Sequence, residues 1–460
     1  MKRKRTYQAI PVEQVRLEEV LPVLITVGCV VALDVAKEKF VAALATAAGE
    51  VLKLFRFKHP TETSKFLELV TELQAQLPPG QLKVAMEPTG TYGDAIRHQL
   101  LKAEVPVWMV SPKRTHDSQA LFDNVQSLHD PKSAVLVAKL CAMGLATEWK
   151  PASEMRRRLR ALVELRAHHQ QQRERCFGRL EALQARHWPE FGRWLDVRVQ
   201  KSALRLLEAH GSPATTQADP DTTRSLLVNE SHGRLSKEVI EGVVSEASTT
   251  SGVPTVPEEE ALVKHLSTEA LELGKCIDRI DAQLAVLASD KEEGFAHLQT
   301  WMGTYTAAVI VTLCDPRQYA NARQFEKACG LNLREKSSGE RSGRLSITKR
   351  GPALVRQVLY LFALRMIKQS GVVRAWYMSR RGYTEDSKQR AVVAVMRKLV
   401  KAMFHVARGA VFDETKLFDT RRLEVVAPAT TARNTFTSRT TPRSIARRSA
   451  RAARQDVAAT

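Results

Sequence analysis

Two apolar stretches of this chain each run straight into an acid. Val30-Val31-Ala32-Leu33 is followed by Asp34, and Leu82-Lys83-Val84-Ala85-Met86 by Glu87. A buried strand normally ends in something neutral, because a carboxylate beside a core must be desolvated. Two strands that each end in an acid suggest one sheet edge that gathers carboxylates, which are hard oxygen donors for a divalent cation. A third acid stands in His129-Asp130-Pro131-Lys132-Ser133-Ala134, just before a helical stretch. Alone, Asp130 reads as a helix N-cap with Pro131 at the first helical position. In company with the other two it becomes a third candidate ligand.

The surrounding pattern places these acids on an α/β frame. Val27 to Leu33 is a continuous apolar run, as in a buried strand. Phe40 to Leu44 is a second strand, and Leu52 to Phe57 alternates with period two like a half-exposed third. Thr61 to Leu77 has helical periodicity, ended by Pro78-Pro79-Gly80. Leu82 to Met86, the helix Tyr92 to Ala103, the strand Val105 to Val110 and the helix Ser133 to Met143 complete the unit. The order β-β-β-α-β-α-β-α is the RNase H-like order.

Further along, strand character disappears. Glu154 to His187 is helical with a thin apolar stripe, and so is Leu262 to Leu287, where Ile277, Ile280, Leu284 and Leu287 follow coiled-coil-like spacing. The two suggest an antiparallel hairpin arm that also pairs with another subunit, or else an ordinary helical linker. Between them, 211–257 is rich in Ser, Thr, Pro and Gly and is expected to be partly disordered. Near Gly303 a short turn precedes an apolar helix, a geometry that presents backbone N–H groups to a phosphate. Gly351 to Met366 and Ala391 to Arg408 read as amphipathic helices with basic faces.

Charge then narrows the partner. The 460 residues carry a formal net charge of +20, and a chain this basic usually meets a polyanion. No apolar run reaches the roughly 20 residues of a membrane span, and Glu13, Arg16, Glu18 and Glu19 interrupt any signal-peptide pattern. Nucleic acid is therefore the expected partner, without a membrane. Aromatic residues make up only 6%, which argues against a stacking platform as the main binding device. The six cysteines are scattered without a C-x-x-C pair, which fits reduced thiols in a cytoplasm. Phosphodiester chemistry suits both the acids and the charge, since two metals about 3.5–4 Å apart are the usual arrangement for it.

Four stretches carry a resemblance: Ala32-Leu33-Asp34-Val35-Ala36-Lys37, Met86-Glu87-Pro88-Thr89-Gly90-Thr91-Tyr92, Val110-Ser111-Pro112 and Asp130-Pro131-Lys132-Ser133-Ala134. Together with Phe325 to Gly330, Ser338-Gly339, Ile347-Thr348-Lys349-Arg350-Gly351 and Leu354-Val355-Arg356, they resemble the DEDD transposases of the IS one-ten insertion-sequence family, whose amino-terminal half is similar to the junction resolvase RuvC. The resemblance implies a RuvC-like, RNase H-like domain over 27–147 and a mainly helical C-terminal transposase domain over 298–420, and the residue pattern places between them a helical coiled-coil arm over 148–297 with a disordered insert near 211–257. An N-terminal extension (1–26) and a disordered basic tail (421–460) would flank them.

That resemblance also implies roles. Asp34, Glu87 and Asp130 match the first three of four acids that hold Mg²⁺ or Mn²⁺. The fourth would fall at Ser133, a far weaker ligand, so Asp123 or Asp117 substitutes, or water fills the position, or the copy is impaired. Ser338 matches a serine that attacks DNA and forms a phosphoserine link, with Ser337 and Ser342 as local rivals. Arg334, Lys336, Arg341, Arg344, Lys349, Arg350 and Arg356 would bind nucleic acid around it. The implied partners are DNA, a structured guide RNA (the bridge RNA) and further copies of the chain, as a dimer or tetramer through the arm. The active site would be composite, with the acids of one subunit facing the serine of another. The implied location is the bacterial cytoplasm, at the nucleoid when acting. A junction-resolving nuclease using metal-activated water and an impaired nucleic-acid-binding protein are the rival readings.

Overall fold

The structure, a computed structural model, describes residues 7–88, 90–126, 129–287, 295–335, 343, 345–419 and 421. It divides into two compact units, Met1–Pro151 and Ala152–Thr460.

The first unit is built on one mixed sheet. Its strands are β1 (Ile10–Pro11), β2 (Cys29–Asp34), β3 (Lys39–Thr46), β4 (Val51–Lys58), β5 (Leu82–Met86), β6 (Val107–Val110) and β7 (Ala146–Glu148), in the order β1-β4-β3-β2-β5-β6-β7. Helices α1 (Leu21–Val27), α2 (Thr63–Gln76), α3 (Asp94–Lys102), α4 (Pro112–Asp117) and α5 (Asp130–Ala142) complete it. β2 pairs antiparallel with β3 and parallel with β5.

Alternate residues of a strand face opposite sides, and here the two sides meet different partners. Val31 and Leu33 share a core with Phe66, Leu69, Val70 and Leu73 of α2 and with Ile96 and Leu100 of α3. Val30 and Ala32 share another with Ala134, Val135, Val137, Ala138 and Cys141 of α5. Ala43, Ala45 and Ala85 lie in that second core, and their short side chains let α5 come close to the sheet. Burial on both faces explains why β2 reads as an unbroken apolar run. The described part of the N-terminal extension, residues 7–26, is built into this unit: β1 pairs with β4, and Leu24 of α1 is buried in the α2-side core. A two-residue strand and a seven-residue helix are too short to announce themselves by periodicity.

The second unit begins with α6 (Glu154–His187) and continues through α7 (Phe191–Trp194), α8 (Lys201–Ala209), α9 (Pro213–Ala218), α10 (Pro220–Ser231), α11 (Lys237–Ser248) and α12 (Pro257–Leu287). The long helices α6 and α12 run side by side. At one end Leu159 and Val163 meet Ile280, Leu284 and Leu287. At the other, Phe177 and Leu180 share a core with Val263, Leu266 and Ala270. Arg166 grips the Asp281 carboxylate with two hydrogen bonds, 2.6 and 2.9 Å.

The disorder expected near 211–257 is corrected by α9, α10 and α11. The residues that suggested a loop are helix punctuation. Ser212, Asp219 and Ser236 accept from backbone N–H groups as N-caps, and Pro213 and Pro220 open their helices. Thr216 and Thr223 are fully buried with their hydroxyls on carbonyls. Composition alone does not distinguish capping residues from loop residues.

The remainder comprises α13 (Phe295–Met302), α14 (Thr304–Leu313), α15 (Ala322–Ala328), β8 (Leu333–Arg334), β9 (Ser346–Ile347), α16 (Ala353–Gln369), α17 (Gly371–Arg380), α18 (Glu385–Val406) and α19 (Glu414–Leu417) around one core. Gly303, at φ +86°, is the N-cap of α14, as the glycine turn suggested. The basic tail beyond Arg421 lies outside the described residues. None of the described helices is long and apolar enough to cross a membrane.

Candidate active site

Strand register brings the first two acids together. Leu33 is paired with Met86 across β2 and β5, so Asp34 and Glu87 fall side by side at the same end of neighbouring parallel strands. Asp34 continues the Val30–Ala32 side of β2, and Glu87 the Ala85 side of β5. Both series belong to the face covered by α5. Asp130 is the first residue of that helix, capped by His129, whose Nδ1 accepts from the Lys132 N–H. An acid in the first turn is also favoured by the helix dipole.

Ser133, one turn on, is buried and hydrogen-bonded to the Asp34 carboxylate. Asp34 titrates well above an ordinary aspartate, at about 6. Burial raises it most, the Ser133 hydroxyl pulls it back, and the charges of Asp130 and Glu87 push it up further. The three predicted acids and Ser133 thus form one electrostatic neighbourhood.

The two alternative acids are engaged elsewhere. One oxygen of Asp123 accepts from Lys132 Nζ at 2.9 Å and from the Val125 N–H at 3.0 Å, and the other from the Tyr7 hydroxyl at 3.2 Å. Lys132, itself 2% exposed, holds the Asp123 carboxyl below the usual carboxylate range. Asp117 is held low by Lys113, one turn back on α4. Sequence reasoning missed the Tyr7–Asp123–Lys132 clamp. A lysine buried one residue from Ser133 has no local signature, and Tyr7 lies more than a hundred residues away.

The donor set suits a hard divalent cation: carboxylate oxygens, excess negative charge and partial burial, with mutual repulsion that a cation would relieve. Among the described residues, no group of three or more His, Cys, Asp or Glu side chains is already closed around a point that could hold an ion. The acids are neighbours in charge but not a preformed cage.

The second predicted centre lies in the helical unit. Ser338 falls outside the described residues, as do Lys336, Arg341 and Arg344 and the local rivals Ser337 and Ser342. The base of their connection is described. Leu333 pairs with Ile347 and Arg334 with Ser346 in the β8–β9 ribbon, and Thr348 donates to the Asn332 side chain at 2.5 Å. Arg334, Lys349 and Arg350 are exposed. Arg356 is partly committed, donating to the Gly351 carbonyl at 2.6 Å. Behind the ribbon the chain passes itself closely. A Cβ on Gly330 would lie 2.9 Å from the Arg350 nitrogen, and one on Gly351 only 2.2 Å from the Ala328 carbonyl oxygen. Lys349 takes a left-handed conformation, φ +55°, in the same turn. This basic turn is therefore held in one shape.

Comparison with known proteins adds identity to this geometry. A transposase family model, that of the DEDD transposases of IS110, matches residues 31–189, and a model described as the transposase IS116/IS110/IS902 family matches residues 300–378. Among curated proteins, the chain is 28% identical over 145 residues to the pilin gene-inverting protein of Moraxella bovis, covering 29% of this chain and 45% of that protein. It is 29% identical over 174 residues to the transposase for insertion sequence element IS1328 of Yersinia enterocolitica, covering 35% of this chain and 52% of that protein. The chain thus spans about half the length of the curated relatives it matches. The first matched region contains all three acids and Ser133, the second the β8–β9 ribbon and the position of Ser338. The chain belongs to the IS110 family of transposases.

Proposed function

We propose that the protein breaks and rejoins DNA strands for an insertion sequence, with Asp34, Glu87 and Asp130 as the metal-holding acids of an RNase H-like unit and Ser338 as the nucleophile. The observation that carries this reading is the meeting of Asp34, Glu87, Asp130 and Ser133 at one end of the sheet, where Asp34 is pushed up to about 6 by burial and by its acidic neighbours. The relatives' names, an insertion-sequence transposase and a gene-inverting protein, support DNA recombination as the activity.

The three acids would hold Mg²⁺ or Mn²⁺, which activates an attacking oxygen and stabilises the leaving one. The chain's own residues have distinct parts. Glu87 and Asp130 supply negative charge beside Asp34. Ser133 adds no charge; its hydroxyl donates to Asp34 and fixes that carboxylate's orientation. In the second unit the Ser338 Oγ would attack a DNA phosphorus. The Oγ–P bond forms as the bond to the leaving sugar oxygen breaks, the serine proton departs to solvent and the sugar oxygen becomes a hydroxyl. One ester replaces another, so the link keeps the energy needed to reseal DNA. Arg334, Lys349 and Arg350, with Lys336, Arg341 and Arg344, would stabilise the phosphate charge. A structured guide RNA would choose the DNA sites by base pairing, leaving the protein to read backbone and shape, and the arm would pair copies of the chain into a dimer or tetramer. The proposed setting is the bacterial cytoplasm, at the nucleoid.

The test is to trap a covalent adduct on a nicked DNA substrate and resolve it on a denaturing gel. The wild type is expected to form it with Mg²⁺, whereas Ser338→Ala, Asp34→Ala and chelator each abolish it. Strand cleavage that persists in Ser338→Ala without an adduct would replace this reading with a nuclease that uses metal-activated water.

A further inference from the structure

The loop that joins α17 to α18 holds an aromatic ring in open water. Tyr383 is 103% exposed, so its ring touches almost nothing. Of the chain's seven tyrosines, five are partly buried and Tyr92 is half exposed. The loop itself is not slack. The Arg381 N–H donates to the Tyr377 carbonyl at 2.9 Å and closes α17. Thr384 caps α18 by accepting from the Ser387 N–H at 3.2 Å, and the Ser387 hydroxyl donates back to the Thr384 carbonyl at 2.7 Å. Gly382 lies against Ser387 so closely that a Cβ there would be 2.7 Å from its Oγ. A turn pinned on both sides thus presents Tyr383 outward.

The flanking charges have one sign. Arg380 and Arg381 are exposed, and among the described residues neither forms an ion pair. The Arg380 guanidinium lies 4.6 Å from the Trp376 ring, which keeps it beside the turn. The first acids beyond, Glu385 and Asp386, are paired on their own helix with Lys388 and Arg390. A flat ring next to two unanswered guanidiniums matches a nucleic-acid strand, in which a base alternates with phosphates. Both strands of a duplex keep their bases stacked, so the matching ligand is unpaired.

We propose that Tyr383, Arg380 and Arg381 form a stacking site for an unpaired nucleobase and its adjoining phosphates. The site lies just beyond the second family match, which ends at residue 378. This inference rests on the recombinase reading above, where strand exchange and a guide RNA both generate unpaired bases.

The experiment uses the full chain and short oligonucleotides carrying 2-aminopurine, in single-stranded DNA, single-stranded RNA of the same sequence, and duplex DNA. Tyr383→Ala is expected to weaken single-strand binding about tenfold and to remove the quenching of 2-aminopurine, with duplex affinity unchanged. Tyr383→Phe, which keeps the ring, should match the wild type. Arg381→Gln should reduce the salt slope of single-strand binding by about one. The oligonucleotide that shows the Tyr383-dependent loss, DNA or RNA, identifies the strand that supplies the base. Equal binding and quenching by wild type and Tyr383→Ala would overturn the proposal and leave the recombinase reading standing. A parallel loss of single-strand and duplex binding would also overturn it, since the ring would then act through the fold. A wild-type chain that binds no nucleic acid at all would sink both readings together.

Discussion

The acidic corner of the sheet unit rests on regular elements, whereas the basic turn of the helical unit rests on irregular ones. Asp34 and Glu87 are placed by the register of two parallel strands, and Asp130 and Ser133 by the first turn of a helix that covers them. Lys349, Arg350 and Gly351 are placed by close backbone crossings and a left-handed residue. Strand ends tolerate side-chain changes because the backbone hydrogen bonds that set their position remain. A crossed turn does not tolerate them, because its shape depends on atoms that are absent. Substitutions in the two regions should therefore fail in different ways.

The largest contrast should come from Asp34→Ala set beside Gly351→Ala. Loss of the acid should lower recombination by roughly 10²–10³-fold or more, with the thermal melt unchanged or raised, because a repelled, partly buried charge is removed. The added methyl at Gly351 should destabilise the helical unit by about 3 kcal/mol, read as a lower melting midpoint in tryptophan fluorescence, while metal binding at the acids persists. If Asp34→Ala unfolds the chain, or if Gly351→Ala melts like the wild type, the contrast between strand-end and turn is wrong.

This difference also explains what was legible in the sequence. The three acids could be found because each ends or begins a regular element, and periodicity locates such elements. The helices α6 and α12 were readable for the same reason. The Asp123–Lys132–Tyr7 clamp was not, because a buried ion pair between distant segments leaves no periodic trace. The bundle of α9 to α11 was mistaken for disorder because its Ser, Asp and Pro residues act as caps, and a cap can be told from a loop only when the apolar positions beyond it are counted. The fit of Ser133 was half legible. Its position was clear from the motif, but its hydrogen bond to Asp34 depends on how closely α5 approaches the sheet, which the small residues Ala43, Ala45 and Ala85 decide.

A smaller effect sharpens the acidic half of the comparison. Asp34 titrates near 6 in the fold, against 3.8 for an ordinary aspartate. Between those values the folded chain binds more protons than the unfolded one, so stability falls as pH rises through that window. In chelator, the wild type should gain stability when pH drops from 7.5 to 5, and Asp34→Asn should gain measurably less. Saturating Mg²⁺ should shrink the wild-type gain, since a bound cation favours the carboxylate. Identical pH profiles for the two proteins in chelator would show that Asp34 does not carry the shift.

The central claim, that these acids form a metal site with Ser133 at its weak corner, is tested most directly by titrating Mn²⁺ into the full chain and following the free ion by electron paramagnetic resonance. The wild type should bind Mn²⁺, Asp34→Ala should lose that binding, and Ser133→Asp should bind more tightly because a fourth carboxylate replaces a hydroxyl that only donates to Asp34. Equal Mn²⁺ binding by the wild type and Asp34→Ala, with Ser133→Asp indistinguishable from both, would contradict the account.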